Sequence, residues 1–134
     1  MGPMDVVVWV LRAVLALVFL GMGVSHFVPS VRRGMRAMIP APLAAHRDFL
    51  VAFTGVCELA GGLGLVLPWH LIGVEWMRWL VGFLLVAFLI AVFPANAFAA
   101  EHPEKFGRAA FPFWPRYLAQ LALILLVVLA AAPI

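Results

Sequence analysis

Of the residues that carry charge or a titratable proton inside apolar runs, Arg12, His26 and Glu58 are the informative ones. An ionisable group at hydrocarbon depth costs about 2.5–3.5 kcal/mol on insertion scales, so each needs a partner or a wet cavity. Glu58 is the sharpest case, because its short side chain cannot snorkel to an interface as an arginine can. Two states are open to it: ionised and paired with a cation such as Arg12, or kept neutral by desolvation. In either state it can polarise or protonate the polar head of a lipophilic molecule, and it would serve equally well as an interhelical clamp that sets register.

The spacing of the other polar residues says where they must point. Asp5, Arg12, Phe19 and His26 recur every seventh residue, one nearly axial stripe of a helix that has to face inward. Val6, Val7, Val10, Leu17 and Leu20 then supply the lipid-facing side. Glu58 has Thr54, Gly55, Gly61 and Gly62 as helical neighbours, and small residues around an acid mean close packing or a cavity beside it. A second cluster can converge at the other end: His26 at the foot of the first apolar run, Asn96 at the foot of the third, and Arg116 with Gln120 entering the last. The candidate site is therefore Glu58, His26, Arg12, Asn96, Gln120 and Arg116, with helix capping and loop closure as the competing role for the second cluster. Pro94 frees a backbone carbonyl near Asn96.

The elements that position these groups follow from composition. Of 134 residues 66% are hydrophobic and 11% charged, which excludes a soluble globular domain. Apolar runs at about 4–28, 49–67, 76–97 and 116–132 predict four transmembrane helices. A short amphipathic helix is expected over about 30–39, capped by Ser30 and carrying Val31, Met35 and Met38 opposite Arg32, Arg33 and Arg36. The predicted fold is all-α, one domain over 1–134, an antiparallel four-helix bundle in the membrane. The first run is too long for a signal-peptide core and lacks a basic leader, so it reads as a retained span. Gly21, Ser25, Gly55, Gly61, Gly62 and Gly64 are the expected helix-packing positions, with Ala60 completing the face that ends at Gly64.

Orientation comes from the basic residues. Arg32, Arg33, Arg36 and Arg47 in the first connection, with Lys105, Arg108 and Arg116 at the third, stand against Arg78 alone in the second. This bias puts both termini on the outer side. Trp9, Trp69, Trp76 and Trp79 then mark the outer interface, and Phe111, Phe113, Trp114 and Tyr117 the inner one. A net charge of +3 is accounted for by topology, so nucleic acid is not an expected partner. Cys57 is the one cysteine, which removes intramolecular disulfide and CxxC chemistry and leaves it as a small packing residue. His26, His46, His70 and His102 lack ligand spacing, and no metal site is expected.

Several segments resemble, in order and spacing, the DoxX family of small four-helix membrane proteins: Gly23-Val24-Ser25-His26-Phe27, the run Gly55 to Pro68 with its Glu-x-x-Gly-Gly-x-Gly core, Ala91-Val92-Phe93-Pro94-Ala95-Asn96, and Arg116-Tyr117-Leu118-Ala119-Gln120. The resemblance covers nearly the whole chain. It implies a multi-pass protein of the bacterial cytoplasmic (inner) membrane, related to membrane subunits of thiosulfate:quinone oxidoreductase. By similarity the polar positions are His26, Glu58, Asn96, Arg116 and Gln120, and Arg12 has no counterpart.

The expected function is binding of a quinone-like or isoprenoid molecule between the helices, as an accessory to a membrane redox system. No cofactor motif is present in the chain, so a partner would have to supply any redox centre, and the chain is at most a membrane subunit of such an enzyme. The competing expectation is a non-catalytic scaffold or assembly factor that docks partner helices through the Gly21/Ser25 and Ala60/Gly64 faces, with an oligomer admitted by either reading.

Overall fold

The computed structural model describes residues 2–39, 41–101 and 113–132, apart from the side chains of 96–101 and 113–114. All regular structure among them is helical: α1 Pro3–Ser25, α2 Pro29–Ala37, α3 Arg47–Val66, α4 Trp76–Glu101 and α5 Phe113–Ala131, with 3-10 turns at Ala41–His46 and Trp69–Ile72. Three stretches, Pro3–Ser25, Ala41–Val66 and Trp76–Ala95, are long and apolar enough to cross a membrane, which marks a membrane protein. The expected fourth span is shorter. Its apolar part, Pro115–Ala131, reaches about 25 Å at about 1.5 Å per residue, against about 30 Å of hydrocarbon.

Local chemistry sets the boundaries. Pro3 opens α1 while the Gly2 amide donates to Asp5 Oδ2 at 2.9 Å, and proline is preorganised for this first position. At the other end Val28 is extended before Pro29, because a residue preceding proline is pushed out of the helical region. Pro29 then starts α2, so Val28 and not Ser30 stands at its cap, and no side chain caps it. Pro68 stops α3 in the same way, leaving Leu67 extended. Gly73, at φ +72°, closes the turn that follows, a left-handed conformation that favours glycine.

Helix α1 packs on α3, α3 on α4, α4 on α5, and α5 returns to α1. Leu15, Phe19, Leu65, Leu85, Leu89, Val127 and Ala130 form the core where the four meet. Close approach depends on small residues. A Cβ at Gly61 would overlap Leu85. One at Gly64 would sit 2.7 Å from Val81, and one at Gly62 3.2 Å from the Ala16 carbonyl. Gly64 is thus spent on the chain's own α3–α4 contact and is closed to an outside helix. Gly21 behaves differently from expectation: it is exposed with open space around it, and Ser25 turns its hydroxyl back to the Met22 carbonyl. The packed glycine of this helix is Gly23, where a Cβ would meet Leu59 at 2.8 Å.

The distribution of polarity is inverted relative to a water-soluble fold. Arg12, His26, Glu58 and Arg78 are buried, while Val6, Val7, Val10, Leu17, Phe83 and Leu125 stand exposed. The heptad stripe of α1 does face inward, with Arg12, Phe19 and His26 all buried. Leu20 is the exception on the opposite side: it is half-buried and reaches over Gly62. The expected turn 101–105 and the cations Lys105 and Arg108 fall, except for Glu101, outside the described residues, as do His102 and Phe111.

Candidate functional site

His26 caps the C-terminal end of α1 and is carried against α3, where a Cβ on Gly55 would lie 2.7 Å from its own Cβ. The absence of a side chain at 55 therefore lets the imidazole reach the α3 backbone. His26 Nδ1 lies 2.9 Å from the Val51 carbonyl. A carbonyl only accepts, so Nδ1 carries the hydrogen. Thr54 Oγ1 is 3.2 Å from the same nitrogen and lies 2.8 Å from the Leu50 carbonyl and 3.0 Å from the Val51 carbonyl. Its hydroxyl hydrogen goes to those carbonyls, and its lone pair faces the imidazole N–H.

With Nδ1 committed, Nε2 faces Glu58. The separation from Nε2 to Glu58 Oε2 is 3.2 Å, with both side chains almost fully buried. Two lone pairs at that distance in a desolvated site would repel, so one proton belongs to the pair, as imidazolium with carboxylate or as imidazole with carboxylic acid. The contact has the length of an ion pair without the alignment of a hydrogen bond. Among the described residues, Glu58 Oε2 and Arg47 Nε are the buried side-chain polar atoms with no hydrogen bond. A buried acceptor left in this condition is uncommon in folded proteins.

Beside this pair lies a cavity of about 760 Å³, lined by His26, Thr54 and Glu58 on one side and by Arg116 and Gln120 of α5 on another. The rest of the wall is apolar, including Leu89, Val92 and Pro94 of α4. Near the entrance to α5, Phe93 and Tyr117 meet edge to face at 5.7 Å between ring centres. Met35, Met38, Ile39 and Leu43 close the cavity from the side of α2 and the turn that follows. That cover is held by Arg36 Nε at 3.1 Å from Asp48 Oδ1, and by Arg32, which donates to the carbonyls of His26 at 3.2 Å and Asp48 at 3.1 Å. The amphipathic helix thus spends two of its arginines on the chain itself, and Arg33 remains exposed.

Of the candidates, His26, Glu58, Arg116 and Gln120 line one cavity, and Arg12 does not. The pairing of Arg12 with Glu58 is replaced by a different arrangement. Arg12 Nε donates to the Ala130 carbonyl at 2.6 Å, and its Nη2 donates to the Ala132 carbonyl at 3.1 Å. These are orphan carbonyls at the C-terminal end of α5, which carry the negative end of the helix dipole. Arg78 does the same for α3, donating to Leu65 at 3.2 Å and Leu67 at 2.7 Å. Both guanidinium groups lie near the Trp9 ring, at 4.7 Å and 5.0 Å from its centroid, within cation–π range. Asn96 lies in α4, and its side chain is outside those described.

Sequence reasoning missed two participants. Val51 contributes a backbone carbonyl, and Thr54, which the sequence shows as a helical neighbour of Glu58, contributes a hydroxyl beside His26. The signal was present: positions 51, 54 and 58 share a helix face. Arg78, read as the lone cation of a connection, is a buried cap. Among the described residues no three His, Cys, Asp or Glu side chains gather as a metal-binding group.

Fold and cavity together define a membrane protein, all-helical over the described residues, with a buried acid–imidazole pair on the wall of a cavity. The chain belongs to the family described as Domain of unknown function (DUF8561), whose model matches residues 15–132. No curated protein and no solved structure matches the chain.

Proposed function

We propose that this protein is a multi-pass component of the bacterial cytoplasmic membrane, an antiparallel four-helix bundle with both termini outside, that binds a quinone-like or isoprenoid molecule in the cavity beside Glu58. The observation that carries the reading is the lining: a buried carboxyl and its imidazole, 3.2 Å apart, on one wall of an otherwise mostly apolar space of about 760 Å³. Small-molecule sites have this composition, apolar walls with a few convergent polar groups, and volumes of about 300–1,000 Å³. The pair holds one proton between two basic atoms, so it can donate to a carbonyl or accept from a hydroxyl with little rearrangement. Arg116 and Gln120 supply a second polar wall for the far side of the head.

The DoxX resemblance supports a link to a membrane redox system, in which a partner protein would provide the redox centre. The charge bias of the connections supports the orientation. Native mass spectrometry of the protein extracted in mild detergent tests the binding reading. Wild type should retain a lipophilic molecule and Glu58→Gln should lose it. A wild-type protein that is empty after extraction from its own membrane overturns the proposal.

A further inference from the structure

A second cavity among the described residues extends the first. It is a furrow of about 570 Å³ between α3 and α4, and it shares Leu50, Thr54, Phe88, Ala91 and Val92 with the wall of the site cavity. Apart from Thr54 and Cys57 its lining is entirely apolar. Its form follows from the packing of the two helices. They are drawn together where Gly61 meets Leu85 and Gly64 meets Val81. Toward Leu50 and Val92 no glycine contact holds them, and small side chains at Ala60, Ala87 and Ala91 leave the outer lip of the furrow open. Phe53 and Leu84 on the same lip are exposed apolar groups on a lipid-facing surface.

A mostly apolar chamber with polar groups on two walls, continuing into an apolar trench, has the outline of an amphiphile with one tail. We infer that the ligand is a single-chain amphiphile with a hydroxyl- or carbonyl-bearing head, whose head sits at His26 and Glu58 and whose tail leaves between α3 and α4, past Cys57, into the bilayer. The inference rests on the binding reading above and adds the route and the tail. The His26–Glu58 pair, neutral as a whole with its one proton, offers the head a hydrogen bond, which a hydroxyl or a carbonyl can take up. The furrow between α3 and α4 has room for one tail leaving the chamber.

Cys57, the single cysteine of the chain, stands half-exposed in the furrow and reports on the tail without an engineered probe. The test measures the rate of Cys57 alkylation by N-ethylmaleimide in nanodiscs of saturated phosphatidylcholine. Farnesol and its short analogue 3-methylbut-2-en-1-ol are the added ligands, and native mass spectrometry scores retention of each. Farnesol at about ten times its Kd should slow alkylation about tenfold, since roughly one site in eleven stays open. The short alcohol should leave the rate unchanged, and in Glu58→Gln retention and shielding should disappear together. Ala87→Trp fills the furrow without touching the His26–Glu58 wall and should lose farnesol while keeping its helical circular-dichroism spectrum.

Retention of farnesol that depends on Glu58, with Cys57 reacting at the ligand-free rate, overturns the tail route and leaves the binding reading standing. Shielding that persists in Glu58→Gln also overturns it, because bulk lipid chains would then fill the furrow. Failure of wild type to retain farnesol removes the alcohol-headed class together with the route.

Discussion

Two buried charged constellations lie on α1, about 21 Å apart along its axis at about 1.5 Å per residue. Around Trp9, Arg12 and Arg78 each donate to two carbonyls at the end of a neighbouring helix. Around His26, the imidazole is oriented by Val51 and Thr54, yet the Glu58 oxygen facing it has no aligned hydrogen bond. Neither arginine of the first constellation lines either cavity, whereas His26 and Glu58 line the larger one. Two buried ionic groups in one protein thus have opposite characters. One satisfies the helix ends and ties elements together, and the other holds a proton on a cavity wall. Burial of charge alone does not mark a functional site; incomplete satisfaction next to a cavity does.

Substitutions can break or sharpen this contrast. The largest effect is expected for Arg12→Ala, which strips two carbonyls at the end of α5 of their charged donor. A loss of about 2–3 kcal/mol is expected from hydrogen bonds to a charged group, read as the midpoint of unfolding in detergent, with ligand retention unchanged in the protein that remains folded. A wild-type midpoint would dissolve the distinction between the two ends. Gly55→Val comes next. Its added carbons collide with His26 and Phe27, and overpacking of this kind costs about 1–3 kcal/mol. It should also push the imidazole from Glu58 and remove the ligand.

Glu58→Gln should behave in the opposite way from Arg12→Ala. A change of under about 1 kcal/mol is expected, because the amide keeps a polar partner for His26 Nε2 at the same place and, being neutral, is easier to bury than a carboxylate. Ligand retention should fall at least about tenfold, the equivalent of about 1.4 kcal/mol. If stability collapses and a ligand stays bound, the pair is a clamp. Asp48→Ala releases Arg32 and Arg36 from an exposed carboxylate and should cost about 0–1 kcal/mol, with faster ligand exchange as α2 loosens. Gly21→Leu is expected to lie within about 0.5 kcal/mol of wild type, since nothing stands within 4 Å of the added Cβ. Under the scaffold reading the same substitution would abolish recovery of a partner, so a pull-down with Gly21→Leu separates the two functions.

Much of the site was legible because hydrophobic periodicity is stringent in an apolar chain. A polar residue in such a run has few acceptable directions, so the heptad stripe from Arg12 to His26 and the glycines around Glu58 announced an inward face. His26, Glu58, Arg116 and Gln120 could therefore be named together before any coordinates. The pairing could not. Arg12 and Glu58 are compatible by helical rise, but the choice among partners depends on which helix ends come within reach of a guanidinium. The orphan carbonyls of α5 and α3 are backbone groups that side-chain pattern does not display. The cap of α2 lies at Val28, two residues before Ser30, because Pro29 preorganises the first turn more strongly than Ser30 can cap it. Gly21 and Gly23 are both small residues in one helix, and only the approach of Leu59 and Gly55 distinguishes the packed one from the open one.

From its residues alone, this protein is determined to be helical, apolar on its outside, and obliged to hide an acid, an imidazole and an arginine within itself. That much follows from transfer energies and the 3.6-residue turn, which act along a single helix. Tertiary structure decided which of those groups meet, that His26 and not Arg12 faces Glu58, and that a furrow between α3 and α4 continues the chamber beside them. Those outcomes depend on the axial offset and separation of neighbouring helices, quantities fixed by side chains meeting across the interface and by no one segment.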